Sequence, residues 1–206
     1  MTRQKKNGFL SKAQADRVAA HLLVRASLGA QDFDSARAIL FVEGETERGV
    51  LRAHTTLEQE RICVLDFGTV GIEPLLRAAD ARLLDWHVLV DRDEAGSHYA
   101  QSARLQLRRR APLSHITMSE HPSFEQALWE SGYRADLVAV AQEHGVEPVD
   151  DSLDSLLRLA RLKLPKPLLV ERAVHRARER EGATELPASM RTAIDAVRAL
   201  AAQSRR

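Results

Sequence analysis

Four carboxylates in this 206-residue chain are placed for shared chemistry: Glu43, Glu47, Asp91 and Asp93. Glu43 stands at the end of the apolar run Ile39 to Val42; Gly44 follows at once, then Glu45, Thr46 and Glu47. A carboxylate on the last residue of a buried strand has no capping role and is costly without a partner, so Glu43 reads as functional. Glu45 suits a plain helix start, where the positive end of the helix dipole favours acids. Asp91 and Asp93 follow another apolar run, Trp86 to Val90, in the stretch Asp91-Arg92-Asp93-Glu94-Ala95-Gly96. In an extended backbone both Asp side chains face one way and Arg92 the other. Converging carboxylates repel unless a cation lies between them, and an oxygen-rich set suits a hard ion such as Mg2+ or Mn2+. Asp-x-Asp alone occurs in many loops and serves equally as an acidic start to the helix from Ala95. Its pairing with a strand-end Glu adds specificity.

Such convergence needs a scaffold that opens both junctions on one edge. The apolar runs Ile39–Val42, Ile62–Leu65 and Trp86–Val90 alternate with helical patterns through about Thr56, over Ile72–Ala81 and over Ala95–Arg108, the last ending in the basic cluster Arg108 to Arg110 and stopped by Pro112. A fourth short strand is expected at His115–Met118. Connections too long for hairpins argue a parallel sheet with helices on its faces, whose ligand crevice lies beyond the carboxyl ends of the strands. Phe9 to about Leu28 reads as a docking helix. Beyond Met118 the pattern is helical: Phe124–Ser131, Arg134–His144, a stretch marked by Leu153, Leu156, Leu157 and Ala160, then Leu168–Arg180. A last helix after Pro187 carries the stripe Met190, Ile194, Val197 and Ala201. The expected division is a tail and docking helix over 1–37, an α/β core of about four parallel strands over 38–120, and a helical part completing the catalytic region over 121–206.

Bulk composition limits the alternatives. Thirty Lys and Arg against 29 Asp and Glu leave a net charge of +1, so a nucleic-acid partner would have to be met by a local patch. The lone Cys63 excludes an internal disulfide and a cysteine-rich zinc site, and reads as a core thiol. No apolar run is long enough for a membrane span and no apolar signal segment follows the basic start, so a cytoplasmic, membrane-free protein is expected.

Strand-Glu-Gly followed by strand-Asp-x-Asp resembles the signature of the Toprim fold of topoisomerases, bacterial primases and several nucleases. Val42-Glu43-Gly44-Glu45-Thr46-Glu47 looks like the Val-Glu-Gly-x-Thr-Glu of the overcoming-lysogenization-defect (OLD) nucleases, whose Toprim domain normally follows an ATPase domain. Ser123-Phe124-Glu125 resembles the family's later Ser-x-Glu, and Lys166-Pro167 its active-site Lys. The resemblance implies two metal ions, Mg2+ or Mn2+ with Ca2+ as a non-productive substitute, held among Glu43, Glu47, Asp91, Asp93, Ser123 and Glu125. It implies Lys166 as the donor of positive charge to the scissile phosphate or leaving group. Ser123 and Glu125 equally fit an N-cap and a first-turn acid, and Lys166 competes with Lys163 and with a plain surface role.

The function this implies is metal-dependent DNA endonuclease or nickase activity. Candidate DNA contacts are Arg104, Arg108, Arg109 and Arg110 and the lysines of the N-terminal tail, although a charge run also reads as a solvated face. Sparse aromatic interleaving favours duplex over single-stranded DNA. An RNA-processing Toprim nuclease and a non-catalytic module docking an ATPase partner are the alternatives. No Gly-x-x-x-x-Gly-Lys-Ser/Thr loop occurs, so no P-loop ATP site is expected in this chain. Strand passage is disfavoured, since neither Tyr99 nor Tyr133 lies in a recognisable nucleophile context.

Overall fold

A computed structural model describes residues 13–14, 35–68, 70–107, 115–180 and 185–203. Apart from residues 13 and 14, the expected helix over Phe9 to Leu28 lies outside the described residues, as do the N-terminal lysines and Arg108, Arg109 and Arg110. Among the described residues no helix is long and apolar enough to cross a membrane.

The elements run β1 (Ala38–Val42), α1 (Glu45–His54), β2 (Ile62–Asp66), α2 (Ile72–Asp80), β3 (Asp85–Val90), α3 (Glu94–Leu107) and β4 (Ile116–Met118). They continue as α4 (Phe124–Leu128), α5 (Arg134–Glu143), α6 (Leu153–Ala160), α7 (Lys166–Glu179) and α8 (Ala188–Gln203). The four strands form one sheet in the order β2-β1-β3-β4, every pair parallel. This is the α/β architecture expected from the alternation, with the helical part following it.

All five residues of β1 are buried because both faces of the sheet are covered. Ile39 and Phe41 join Leu65, Trp86 and Val88 under α2 and α3, which contribute Leu75, Leu76, Ala100 and Ala103. Ala38, Leu40 and Val42 face the other way, into a larger core that includes Val50 and Leu51 of α1, Leu137 of α5, Leu169 and Val170 of α7 and Val197 of α8. Strand periodicity of two thus divides β1 between two cores.

Between α4 and α5 the backbone makes a π turn over Trp129–Tyr133, with Gly132 at φ 93°. Only glycine adopts that conformation without strain, so the expected helix over Phe124–Ser131 ends early. Behind the turn, buried Asp136 pairs with Arg180 at 2.5 Å and lies 3.9 Å from Arg176, tying α5 to α7.

Candidate metal and phosphodiester site

The central strands deliver the acidic groups side by side. Register pairs Val42 with Leu89, so Glu43 emerges level with Val90 and one step short of Asp91. The side chain of Glu43 turns across this gap, and its Oε2 accepts a hydrogen bond from the Asp91 amide at 3.2 Å. Next door, the Arg92 amide donates to the His121 carbonyl at 2.9 Å and the Ser119 amide to the Val90 carbonyl at 2.8 Å. These bonds join the loop carrying Asp91 and Asp93 to the segment that leads into Ser123 and Glu125.

Gly96 permits the tight turn after β3. A Cβ there would stand 2.1 Å from the Asp91 carbonyl oxygen, so only glycine lets α3 start this close to the strand end. The Gly96 amide donates to Asp93 Oδ1 at 2.7 Å, making Asp93 the cap of α3. Ser123 caps α4 in the same way, accepting from the Gln126 amide at 3.1 Å.

Glu47, in the first turn of α1, is 6% exposed, and Glu125, in the first turn of α4, is 4% exposed. Lys166 opens α7 and places its Nζ 2.9 Å from Glu125 Oε1. The carboxylates act on one another as a single group. Burial raises the pKa of Asp91 to about 8, and the charges of Glu47, Glu43, Glu125 and Asp93 push the same way. Burial likewise lifts Glu47 to about 7; its own amide opposes this, Glu125 adds to it, Lys166 opposes it and Glu43 adds to it. Glu43 is raised by burial, against the Asp91 amide and with the help of Asp93.

Among the described residues no three His, Cys, Asp or Glu side chains form a ready-made metal cage. Glu43, Asp93 and Glu125 are each turned onto a protein partner, the Asp91 amide, the Gly96 amide and the Lys166 ammonium. The donor set nevertheless fits a hard divalent cation. It is all oxygen, and the raised pKa values of Asp91, about 8, and Glu47, about 7, mean that a cation binding near neutrality would displace protons.

A family model for the overcoming-lysogenization-defect-protein-like Toprim domain matches residues 36–93, the span from the start of β1 through the Asp91-x-Asp93 turn. Over that span the chain is similar to an OLD-like Toprim domain. Uncharacterized protein YbjD of Escherichia coli (strain K12) is 36% identical over 105 residues, 48% of this chain but only 19% of that protein. The C-terminal region of the Burkholderia pseudomallei OLD protein shares the fold with TM-score 0.64 and 16% identity, covering 81% of this chain and 98% of that one. The corresponding region of the Xanthomonas campestris pv. campestris OLD protein gives 0.60 and 17%, covering 83% and 98%.

At the carboxyl edge of the Toprim sheet the structure assembles Glu43, Glu47, Asp91, Glu125 and Lys166, with Asp93 on the rim and Ser123 at the start of α4. It does not bring Arg104 there. That exposed residue lies in the last turn of α3, about 15 Å along the helix from its acidic start. Lys163 is exposed in the turn before α7. Of two further groups beside the site, Arg48 was not singled out from sequence and Tyr99 was weighed there only as a strand-passage nucleophile. Arg48 follows Glu47 and reaches from α1 to Asp66 at the end of β2, with Nε 3.0 Å from Oδ2. Tyr99, on α3, packs against Phe67 beside the Glu43 junction. The spacing from Glu45 to Arg48 hints at a salt bridge within the helix, which forms at 3.6 Å, but nothing local reveals Asp66.

Proposed function

We propose that this chain is a divalent-metal-dependent endonuclease or nickase that cleaves phosphodiester bonds in DNA on its Toprim fold. The observation that carries the reading is the convergence of Glu43, Glu47, Asp91 and Glu125, drawn from three separate strand-to-helix segments, on one edge with Lys166 beside them. A merely structural network would pair its acids with bases. Here burial and neighbouring carboxylates raise the proton affinity of Glu43, Glu47 and Asp91, with Lys166 close by on Glu125.

Glu43, Glu47, Asp91 and Glu125, with Asp93 and Ser123 at the rim, would hold a pair of Mg2+ or Mn2+ ions, and Ca2+ would occupy the site without turnover. When bound, the ions supply Lewis-acid charge to the scissile phosphate and lower the pKa of the attacking water. The chain's own residues do the rest. Buried Glu47 and half-buried Asp91 would surrender their protons as the site fills, and the Asp91 amide fixes the orientation of Glu43. Lys166, half exposed at the start of α7, places its ammonium where a phosphate oxygen or leaving group can meet it. No phosphate-binding loop for ATP occurs in this chain, and the likeness to C-terminal regions of OLD proteins supports the reading that the domain works beside an ATPase domain or subunit.

Plasmid nicking under Mg2+ or Mn2+ titration, with matched RNA as competitor, tests the proposal. Wild type should nick supercoiled DNA only with metal, and Lys166→Ala should be slower by about a hundredfold, the cost of deleting one charge-stabilising donor. Cleavage of RNA in preference to DNA would select the RNA-processing alternative. Absence of metal-dependent cleavage of either would select a docking module.

A further inference from the structure

Tyr99 is the half-buried aromatic residue that the proposed chemistry leaves unused. It sits in the second turn of α3, six residues past the capping Asp93. Its ring meets the fully buried Phe67 edge-on, with centroids 4.9 Å apart and planes at 73°, which pins the phenol in place. Phe67 is held in turn by its amide's hydrogen bond to the Val42 carbonyl, so the aromatic pair is anchored to the segment that presents Glu43.

The hydroxyl itself makes no hydrogen bond to another described residue. The oxygen is not sealed in the core, so it is open to a partner that enters from solvent. Burial raises its pKa, and Glu43 and then Asp93 push it further the same way, so it stays a neutral O–H donor at every working pH. A donor held on α3 close to Glu43 and Asp93, with its ring fixed on Phe67, is placed to meet an anion that enters the acidic crevice.

We propose that the Tyr99 hydroxyl is a substrate-contacting group that donates a hydrogen bond to a non-bridging phosphate oxygen of the nucleic-acid strand lying across the carboxylates. The proposal rests on the phosphodiesterase reading of the site. It adds a neutral contact on the α3 side to the charged one from Lys166. Because the contact is neutral it releases no counterion, so its contribution to binding should be independent of salt.

The test uses the full chain with Tyr99→Phe, which keeps the ring against Phe67 and deletes only the hydroxyl. Plasmid nicking is measured in Mn2+ beside Asp91→Asn, and DNA affinity in Ca2+ across a salt series. The expected result is a fall in kcat/KM of about fivefold, carried by KM, the size of one lost neutral hydrogen bond. The Mn2+ midpoint, the melting temperature and the salt slope of DNA binding should match wild type. Wild-type kinetics in Tyr99→Phe would overturn the proposal, as would a shifted Mn2+ midpoint, which would mean that the hydroxyl serves the carboxylates instead of the strand. If wild type and Asp91→Asn both fail to nick, the phosphodiesterase reading falls and takes this contact with it.

Discussion

Partial burial, with neighbouring carboxylates behind it, raises the pKa of Asp91 past neutrality, and the sign of that shift carries a consequence for stability. Its pKa in the metal-free fold is raised to about 8 and that of Glu47 to about 7, against ordinary values of 3.8 and 4.5. Between those limits the folded protein binds more protons than the unfolded chain, so each group costs stability as pH rises through the window. Thermal melts of metal-free protein from pH 5 to pH 8 should therefore show Asp91→Asn gaining steadily on wild type. A constant difference across the range would mean that Asp91 titrates normally. The value of the acidic residues at single-residue resolution was legible in sequence for Glu43 and Asp91, since a charge that ends a buried apolar run stands out. Glu125 was not legible on the same ground. Its burial and its pairing with Lys166 depend on how α7 packs, which no local pattern records.

At the scale of elements, the strand-to-helix turns decide the geometry. The turn after β3 works because Gly96 accepts a backbone approach that no side chain tolerates, and because Asp93 caps the helix that follows. Gly96→Ala should cost about 1–3 kcal/mol in urea unfolding, the range for forced overpacking, and should weaken metal binding by displacing Asp91. An unchanged unfolding midpoint would show that α3 starts elsewhere. The strands and helices of the α/β core fell within a residue or two of their expected bounds, because buried parallel strands write continuous apolar runs and the helices between them have clear periodicity. The turn at Trp129–Tyr133 was less legible: Gly132 imposes a π turn through its positive φ, a backbone choice that hydrophobic spacing does not encode, whereas the helices beyond it were found close to their expected bounds. Asp93 and Ser123 each carry both a capping bond and the family's motif position, which is why sequence left their roles open.

On the scale of the whole molecule, the helices after β4 are part of the site's construction. They bury one face of β1 through Leu169, Val170 and Val197, and they supply Glu125 and Lys166 to an edge whose other acids come from the sheet. Sequence announced the alternation and the parallel sheet, whereas the packing of α7 against α1 and α5 had to be seen in three dimensions. The joint origin of the carboxylates would make the proposed metal binding a property of the assembled fold, coupled to proton release. Isothermal titration calorimetry of Mn2+ at pH 7, run in two buffers of different ionisation enthalpy, measures both at once. The account expects saturable binding that releases protons in wild type and is lost in Asp91→Asn. Absence of binding by the folded wild type, or the same affinity and proton count in Asp91→Asn, would contradict it.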